Sequence, residues 1–419
     1  MNSLIDLLLD RLRTKKGLCI FITITLINSL TITLKLNAFN PFDNTITGVD
    51  ANNIPITINI KDIVSIKSAI GPCQPPVPPQ STNLIYVTNL QSNNVSVIDG
   101  VTNTVIATIP VGVQPVDIDI NSLTNRIYVA NEASHNVSVI DGITNTVITT
   151  IPVGVQPVDI GINSLTNRIY VSNLGSDNVS VIDGVTNTVI ATIPVGMAPD
   201  NISINSLTNR IYVNNLQSDN VSVIDGVTNT VIATIPVGDA PREITNNPST
   251  NQIYVTNEGS NNVSVIDGVT NTVITTIPVG DEPGSISINS STNRIYVSNN
   301  GSGNVTVIDG TTNTVIATIP VEGKPFNMTI DPSTNRIYVT NSSPNGFNTL
   351  SIIDGATNSL IVSIPIRGLV ITSISPLTNR IYALSHLIDA VVVIDGTTNT
   401  VITTIPVGVE PINMAINPK

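Results

Sequence analysis

From Leu84 to the end, the chain repeats one arrangement of short apolar runs and polar turns. A representative copy runs from Val116 to Pro157. It contains four extended stretches, Val116–Asn121, Arg126–Val129, Asn136–Ile140 and Thr146–Ile151, designated A to D. NSLTNR separates A from B, DGITNT separates C from D, and Ile-Pro-Val-Gly ends D. Strand B is apolar on both faces, with Ile127 and Val129 opposite Tyr128, a pattern expected of a sheet covered on both sides. Asp and Gly supply the turn chemistry, the Asp side chain capping backbone N–H groups two residues on.

The Asp-Gly pair recurs at Asp99, Asp141, Asp183, Asp225, Asp267, Asp309, Asp354 and Asp395, mostly 42 residues apart. All eight tyrosines occupy one position of the unit: Tyr86, Tyr128, Tyr170, Tyr212, Tyr254, Tyr296, Tyr338 and Tyr382. A four-stranded repeat of this length predicts a β-propeller. The first unit lacks strand A, and the chain ends on PINMAINPK, an A strand with nothing after it. The fold class is therefore all-β, an eight-bladed propeller of four-stranded antiparallel blades closed by the C-terminal strand. Seven blades would leave an exposed sheet edge, which proteins avoid.

Ahead of the propeller, residues 1–70 read as a small helix-plus-β domain. Residues 2–16 have helical spacing of Leu and Ile and a basic end. Residues 17–34 admit two readings. The uncharged run with basic flanks fits an export or anchor segment, whereas alternating threonines broken at Asn28-Ser29 fit a β-hairpin. Alternation favours the hairpin, and with it no convincing signal peptide remains. Further strands are expected at 45–49, 54–60 and 63–66. A helix followed by about five short strands weakly resembles the Sm-like or SH3-like small barrels over residues 1–68. Residues 71–83 form a proline-rich linker ahead of the propeller at 84–419. The two cysteines, Cys19 and Cys73, are too few for a disulfide framework, and whether they are bridged is open.

Ile85-Tyr86-Val87-Thr88-Asn89, repeated at Ile253–Asn257 and Ile337–Asn341, together with VSVIDG and TIPVG, closely resembles the YVTN-type β-propeller repeats of surface-layer and other prokaryotic surface proteins. The resemblance spans residues 84–419. It implies a structural or adhesive surface protein, with related propellers serving as enzymes or cofactor holders.

The formal net charge is −12, and the propeller alone carries ten Lys/Arg against twenty-four Asp/Glu. That balance argues against nucleic acid as a partner, which needs clustered cations. No C-x-x-C-H, Gly-x-Ser-x-Gly or phosphate-binding glycine loop occurs, and there are only two histidines. The first expectation is thus a non-enzymatic, monomeric surface scaffold without cofactor or metal, binding a protein or glycan through its variable D–A and B–C loops. The alternative is a propeller enzyme or metal-dependent lyase using an acidic channel mouth.

Candidate binding residues lie two positions past the proline of strand A, at Asp117, Asp159, Asn201, Glu243, Asn327 and Asn413, and in the D–A loops at Asp281 and Glu282. The bland alternative is a solvated polar channel wall. No residue is assigned as catalytic. On the opposite, constant face, Arg126, Arg168 and Arg210 and the turn residues Asp141, Asp183 and Asp225 are expected to be structural. The repeated Asn-Val-Ser/Thr tripeptides from Asn94 to Asn304 match glycosylation acceptors, but read more economically as a turn copied with the repeat.

Overall fold

The computed structural model describes the backbone of residues 18–26, 31–40, 45–49, 55–59 and 63–72, and backbone and side chains of 83–343 and 347–417. The chain divides into two compact units, Met1–Gln80 and Ser81–Lys419.

In the first unit, strands Leu18–Leu26 and Thr31–Asn40 pair antiparallel, with Thr25 opposite Thr31. Residues 18–26 and 31–34 thus lie in paired strands, and 17 and 27–30 lie outside the described residues. Strands Thr45–Val49, Pro55–Asn59 and Ile63–Pro72 complete one five-stranded sheet, the last pairing back onto the first. The strand expected at 63–66 runs six residues further, to Pro72. The expected helix at 2–16, Cys73 and most of the linker lie outside the described residues. Among the described residues no helix is long and apolar enough to cross a membrane.

The second unit is an eight-bladed propeller of eight four-stranded antiparallel sheets. Blade 1 joins Pro411–Asn417 as its A strand to Leu84–Asn89, Asn94–Asp99 and Thr104–Pro110. Blades 2 to 8 follow in chain order, with A strands Pro115–Asn121, Pro157–Asn163, Pro199–Asn205, Pro241–Asn247, Pro283–Asn289, Lys324–Asp331 and Leu369–Ser375. The C-terminal strand thus removes the edge that an open ring would present.

The core lies between blades. Tyr128, Val137 and Val139 of blade 2 pack on Ile160, Ile169, Val171 and Ile182 of blade 3. Ile127, Val129 and Ile140, on the other face of blade 2, meet Tyr86, Val95 and Val97 of blade 1. The inner strands B and C are buried on both faces, hence the two-sided apolar pattern of strand B. The closing seam is built alike, with Ile85, Val87 and Ile98 against Tyr382, Leu384 and Val393.

The constant face is fixed by side chains bonding to turns. Asp141 Oδ1 accepts the N–H groups of Ile143 and Thr144 at 2.8 and 2.9 Å, and Asn145 closes the turn with φ of 53°. Asn121 Nδ2 donates to Asn167 Oδ1 of the next blade at 2.7 Å, a link repeated from Asn163 to Asn209 and from Asn205 to Asn251. Arg126, Arg168 and Arg210 form ion pairs with Asp141, Asp183 and Asp225 of their own blades. Arg294, Arg336 and Arg380 instead reach the following blade, at Gly355 O, Gly396 O and Gly100 O.

Candidate functional site

The opposite face is where the blades differ. The A strands surround the central channel, and at four places two positions past the starting proline the side chain bonds to the next blade. Asp117 Oδ2 accepts Ile160 N–H at 2.8 Å, Asp159 Oδ2 accepts Ile202 N–H at 2.7 Å, and Glu243 Oε2 accepts Ile286 N–H at 3.1 Å. Asn413 Nδ2 donates to Asp117 Oδ1 at 2.6 Å. These inner-edge N–H groups have no strand partner on the channel side, so a side-chain oxygen takes that place.

Asp117, Asp119, Asp159 and Glu243 are half-buried. The surrounding strands exclude most solvent, which disfavours the charged form. Burial pushes Asp117 up to about 6, and Asp119 and Glu243 up to about 7, against hydrogen bonds that pull the other way. Burial and the charge of adjacent Asp117 hold Asp159 well above the usual carboxylate range. Burial likewise raises Asp200, partly offset by Arg242.

A pocket of about 440 Å³ opens beside Glu243 in the sector of blades 4 to 7. Its size is that of a small-molecule site. Glu243 and Ser285 form its inner wall, Arg242 and Glu258 make an ion pair on one side, and Phe326 supplies an aromatic surface. Asn201, Asn300 and Asn327 present amides, Glu282 stands in a D–A loop, and Gly284 completes the lining. The Asn327 Oδ1 atom is buried without a hydrogen-bond partner. Four of the residues anticipated from sequence, Asn201, Glu243, Glu282 and Asn327, come together here. Asp117, Asp159 and Asn413 do not line the pocket and are engaged between blades 1 to 4. Asp281 holds the loop instead: its N–H donates to Ser302 Oγ at 2.7 Å and its carbonyl accepts Gly301 N–H.

Sequence reasoning overlooked Arg242, Gly284 and Phe326. They share the position immediately after the strand-A proline, or after Leu369 in blade 8, which reads Val116, Val158, Asp200, Arg242, Gly284, Phe326, Val370 and Ile412 around the ring. The departure from aliphatic residues in consecutive blades was the available signal. Conversely, part of the B–C loop variation is structural. Asn93, Asp177, Asp219 and Asp389 each accept a D–A loop N–H at 2.8–2.9 Å, from Gln114, Ala198, Ala240 and Glu410, and His135 Nδ1 takes the same place toward Gln156. Among the described residues no group of three or more His, Cys, Asp or Glu side chains is arranged to hold a metal ion.

The profile of the family described as "Lactonase, 7-bladed beta-propeller" matches residues 225–357. That segment contains every pocket residue except Asn201. No curated protein matches the sequence. Among solved structures the chain resembles "Dihydro-heme d1 dehydrogenase NirN in complex with DHE" at 16% identity and TM-score 0.71, covering 82% of this chain and 77% of that one. It also resembles the hydrazine synthase of Kuenenia stuttgartiensis (22% identity, TM-score 0.55, 68% and 96% covered) and AztD of Citrobacter koseri (14%, 0.61, 80% and 97%). At such identities these structures establish the fold, not a shared activity. The comparisons also correct the expectation of a non-enzymatic surface scaffold. The matching profile carries an enzyme's name, and the alternative of an enzyme-like propeller is the better supported one. The assignable group is a β-propeller repeat protein.

Proposed function

We propose that the protein is a propeller enzyme acting on a small molecule in the pocket beside Glu243, with Glu243 as general acid–base. The observation that carries this reading is a half-buried carboxyl poised at about 7, at the wall of a molecule-sized cavity. A group with a pKa near ambient pH transfers protons most effectively in both directions. The pocket's location within the lactonase-like segment supports hydrolysis of a cyclic ester as the reaction to test first. In that reaction the Glu243 carboxylate takes a proton from water as the oxygen attacks the ester carbonyl. The amides of Asn201 and Asn327 can donate to the developing oxyanion. Ring opening then returns the proton to the leaving alkoxide, and the product is a hydroxy acid.

The YVTN-type motifs fit this reading, since related propellers serve as enzymes or cofactor holders. A haem-like cofactor does not fit the pocket, whose lining offers no His, Met, Cys or Tyr side chain to an iron. The three-carboxylate or imidazole set of a metal-dependent lyase is also not assembled among the described residues.

The test is proton release from a panel of five- and six-membered lactones by the purified protein, beside Glu243→Gln. Hydrolysis reduced about 100-fold or more in the variant, at unchanged thermal stability, supports the assignment. Equal rates in both proteins, or no turnover across the panel, would reject it.

A further inference from the structure

Every described glycine of the propeller but one has a conformational or steric reason. Gly303, Gly323 and Gly368 have positive φ, and a Cβ at Gly142, Gly161 or Gly310 would meet a neighbouring atom within 2.4–2.8 Å. Gly284 is the exception. A Cβ there would meet nothing nearer than Ser298 Oγ at 3.6 Å and Phe326 O at 4.0 Å, which is ordinary contact. Blades 2, 3 and 8 carry valine at this position, as Val116, Val158 and Val370. The fold therefore does not require glycine at 284, and what its absent side chain leaves is pocket volume.

The charge around that volume is one-sided. Glu243, Glu258 and Glu282 face it against the single cation Arg242. Arg242 is already committed, its Nε to Glu258 and its field to Asp200. Phe326 offers a ring face, which attracts cations. Asn327 also lines the pocket, and its Oδ1 is a buried acceptor without a hydrogen-bond partner, as are several other asparagine Oδ1 atoms of the ring.

We propose that the pocket takes a ligand bearing a protonated amine, and that Gly284 is the specificity-determining residue that admits it. This rests on the pocket being the working site of the protein. The ammonium sits between Glu282 and Phe326 and donates to the Glu282 carboxylate, with Gly284 giving room for the attached carbon chain. A quaternary trimethylammonium keeps the charge but cannot donate, and a carboxylate of equal length meets like charge.

The experiment is calorimetric titration of the full chain, at neutral pH and low salt, with butylammonium, 1,4-diaminobutane, butyltrimethylammonium and butyrate. Both amines should bind at least about 10-fold more tightly than the trimethyl compound, a difference of about 1.4 kcal/mol, and butyrate should not bind. Gly284→Val leaves the net charge unchanged, so its effect cannot come from the general acidity of the propeller. It should melt like the parent without ligand and lose amine binding by about 10-fold or more. Butyrate binding as well as the amines, no amine binding to the parent, or undiminished binding in a folded Gly284→Val would overturn the proposal. Should that variant fail to fold, Glu282→Gln decides: weakened binding sustains the proposal, and unchanged binding overturns it. Lactone hydrolysis measured in parallel separates the two readings. Amine binding without turnover rejects the enzymatic reading alone, and turnover without amine preference rejects this one alone.

Discussion

Asp117 of blade 2 accepts the backbone N–H of Ile160, in the A strand of blade 3, at 2.8 Å. Asp159 does the same to Ile202, and Glu243 to Ile286. One position of the repeat thus serves two ends. In blades 2 and 3 the carboxylate links neighbouring strands, and in blade 5 the same link orients a carboxyl beside a pocket. The linking role explains why a polar wall recurs round the channel, and the pocket depends on what stands next to it.

The channel carboxyls make stability fall as pH rises. Asp119 titrates at about 7 in the folded protein, against an unfolded value near 3.8. A raised carboxyl favours folding fully below the unfolded pKa and loses that contribution as pH climbs through the folded one. The window is therefore about pH 4 to 7. Each pKa unit corresponds to about 1.4 kcal/mol, and the partial exposure of Asp119 reduces the effect, so roughly 2 kcal/mol is expected. Asp119→Asn should melt higher than the parent at pH 8 and no higher at pH 4. A variant that melts lower at both would show that the carboxylate itself is needed.

The turn aspartates act in the opposite sense. Backbone N–H bonds and Arg168 lower Asp183 to about 2, so its contribution is present above the unfolded pKa and is lost as pH falls toward 2. On the same face, Asp225 Oδ1 accepts Val227 N–H at 2.8 Å and Thr228 N–H at 3.0 Å, in addition to pairing with Arg210. Losing a cap of this kind costs about 0.5–2 kcal/mol, whereas an exposed ion pair contributes about 0.2–1. Thermal melts should rank Asp225→Ala below Arg210→Ala. Arg380→Ala should fall below Arg210→Ala as well, because Arg380 donates across the closing seam to Gly100 O at 2.6 Å and Asn103 Oδ1 at 3.0 Å. A harmless Arg380→Ala would mean that those carbonyls are as well served by water.

The ring was legible because it is copied. Eight tyrosines at one position and a terminal strand without a blade decide blade number and closure before any coordinate is known. The pocket was only half legible, because attention went to residues whose chemistry is visible, such as Glu243. Its volume comes from Gly284, which has no side chain, and its aromatic wall from Phe326, one of five phenylalanines. Loop variation misled for a related reason. His135 and Asp177 differ in chemistry, yet both accept one N–H from the neighbouring loop, so a single structural task is met by several residue types.

The tripeptides resembling glycosylation acceptors should be unmodified. Asn136 Nδ2 donates to Ser134 O at 2.9 Å while Oδ1 accepts from Asn131 at 2.8 Å, so the amide is held within its own turn. Asn178 and Asn220 repeat the arrangement. Attaching a sugar to Nδ2 would remove a donor proton and push the turn apart. Intact-mass measurement of the protein from its natural host should show no hexosamine on peptides covering these sites, and glycan on Asn136 would refute this account.

Ring closure should be the most sensitive feature of the fold. Pro411–Asn417 pairs with Leu84–Asn89, Met414 opposite Val87 and Ile416 opposite Ile85, with a register shift between Pro411 and Asn413. Behind it, the fully buried Asn83 donates to Tyr382 Oη at 3.3 Å, accepts Ser375 Oγ at 2.8 Å, and through its carbonyl accepts Gly100 N–H at 2.8 Å. Asn83→Ala leaves Ser375 and Tyr382 without these partners, and a buried group so orphaned costs about 1–3 kcal/mol. Deleting residues 411–419 does more, since it uncovers one whole edge of strand Leu84–Asn89 and the apolar face that Met414 covers. An uncovered β edge is a template for pairing with other chains. The point variant should therefore stay monomeric with a lowered melting temperature, and the truncated chain should elute as oligomers or aggregate. A truncated chain that remains monomeric and melts like the parent would show that the other seven blades hold the ring without its clasp.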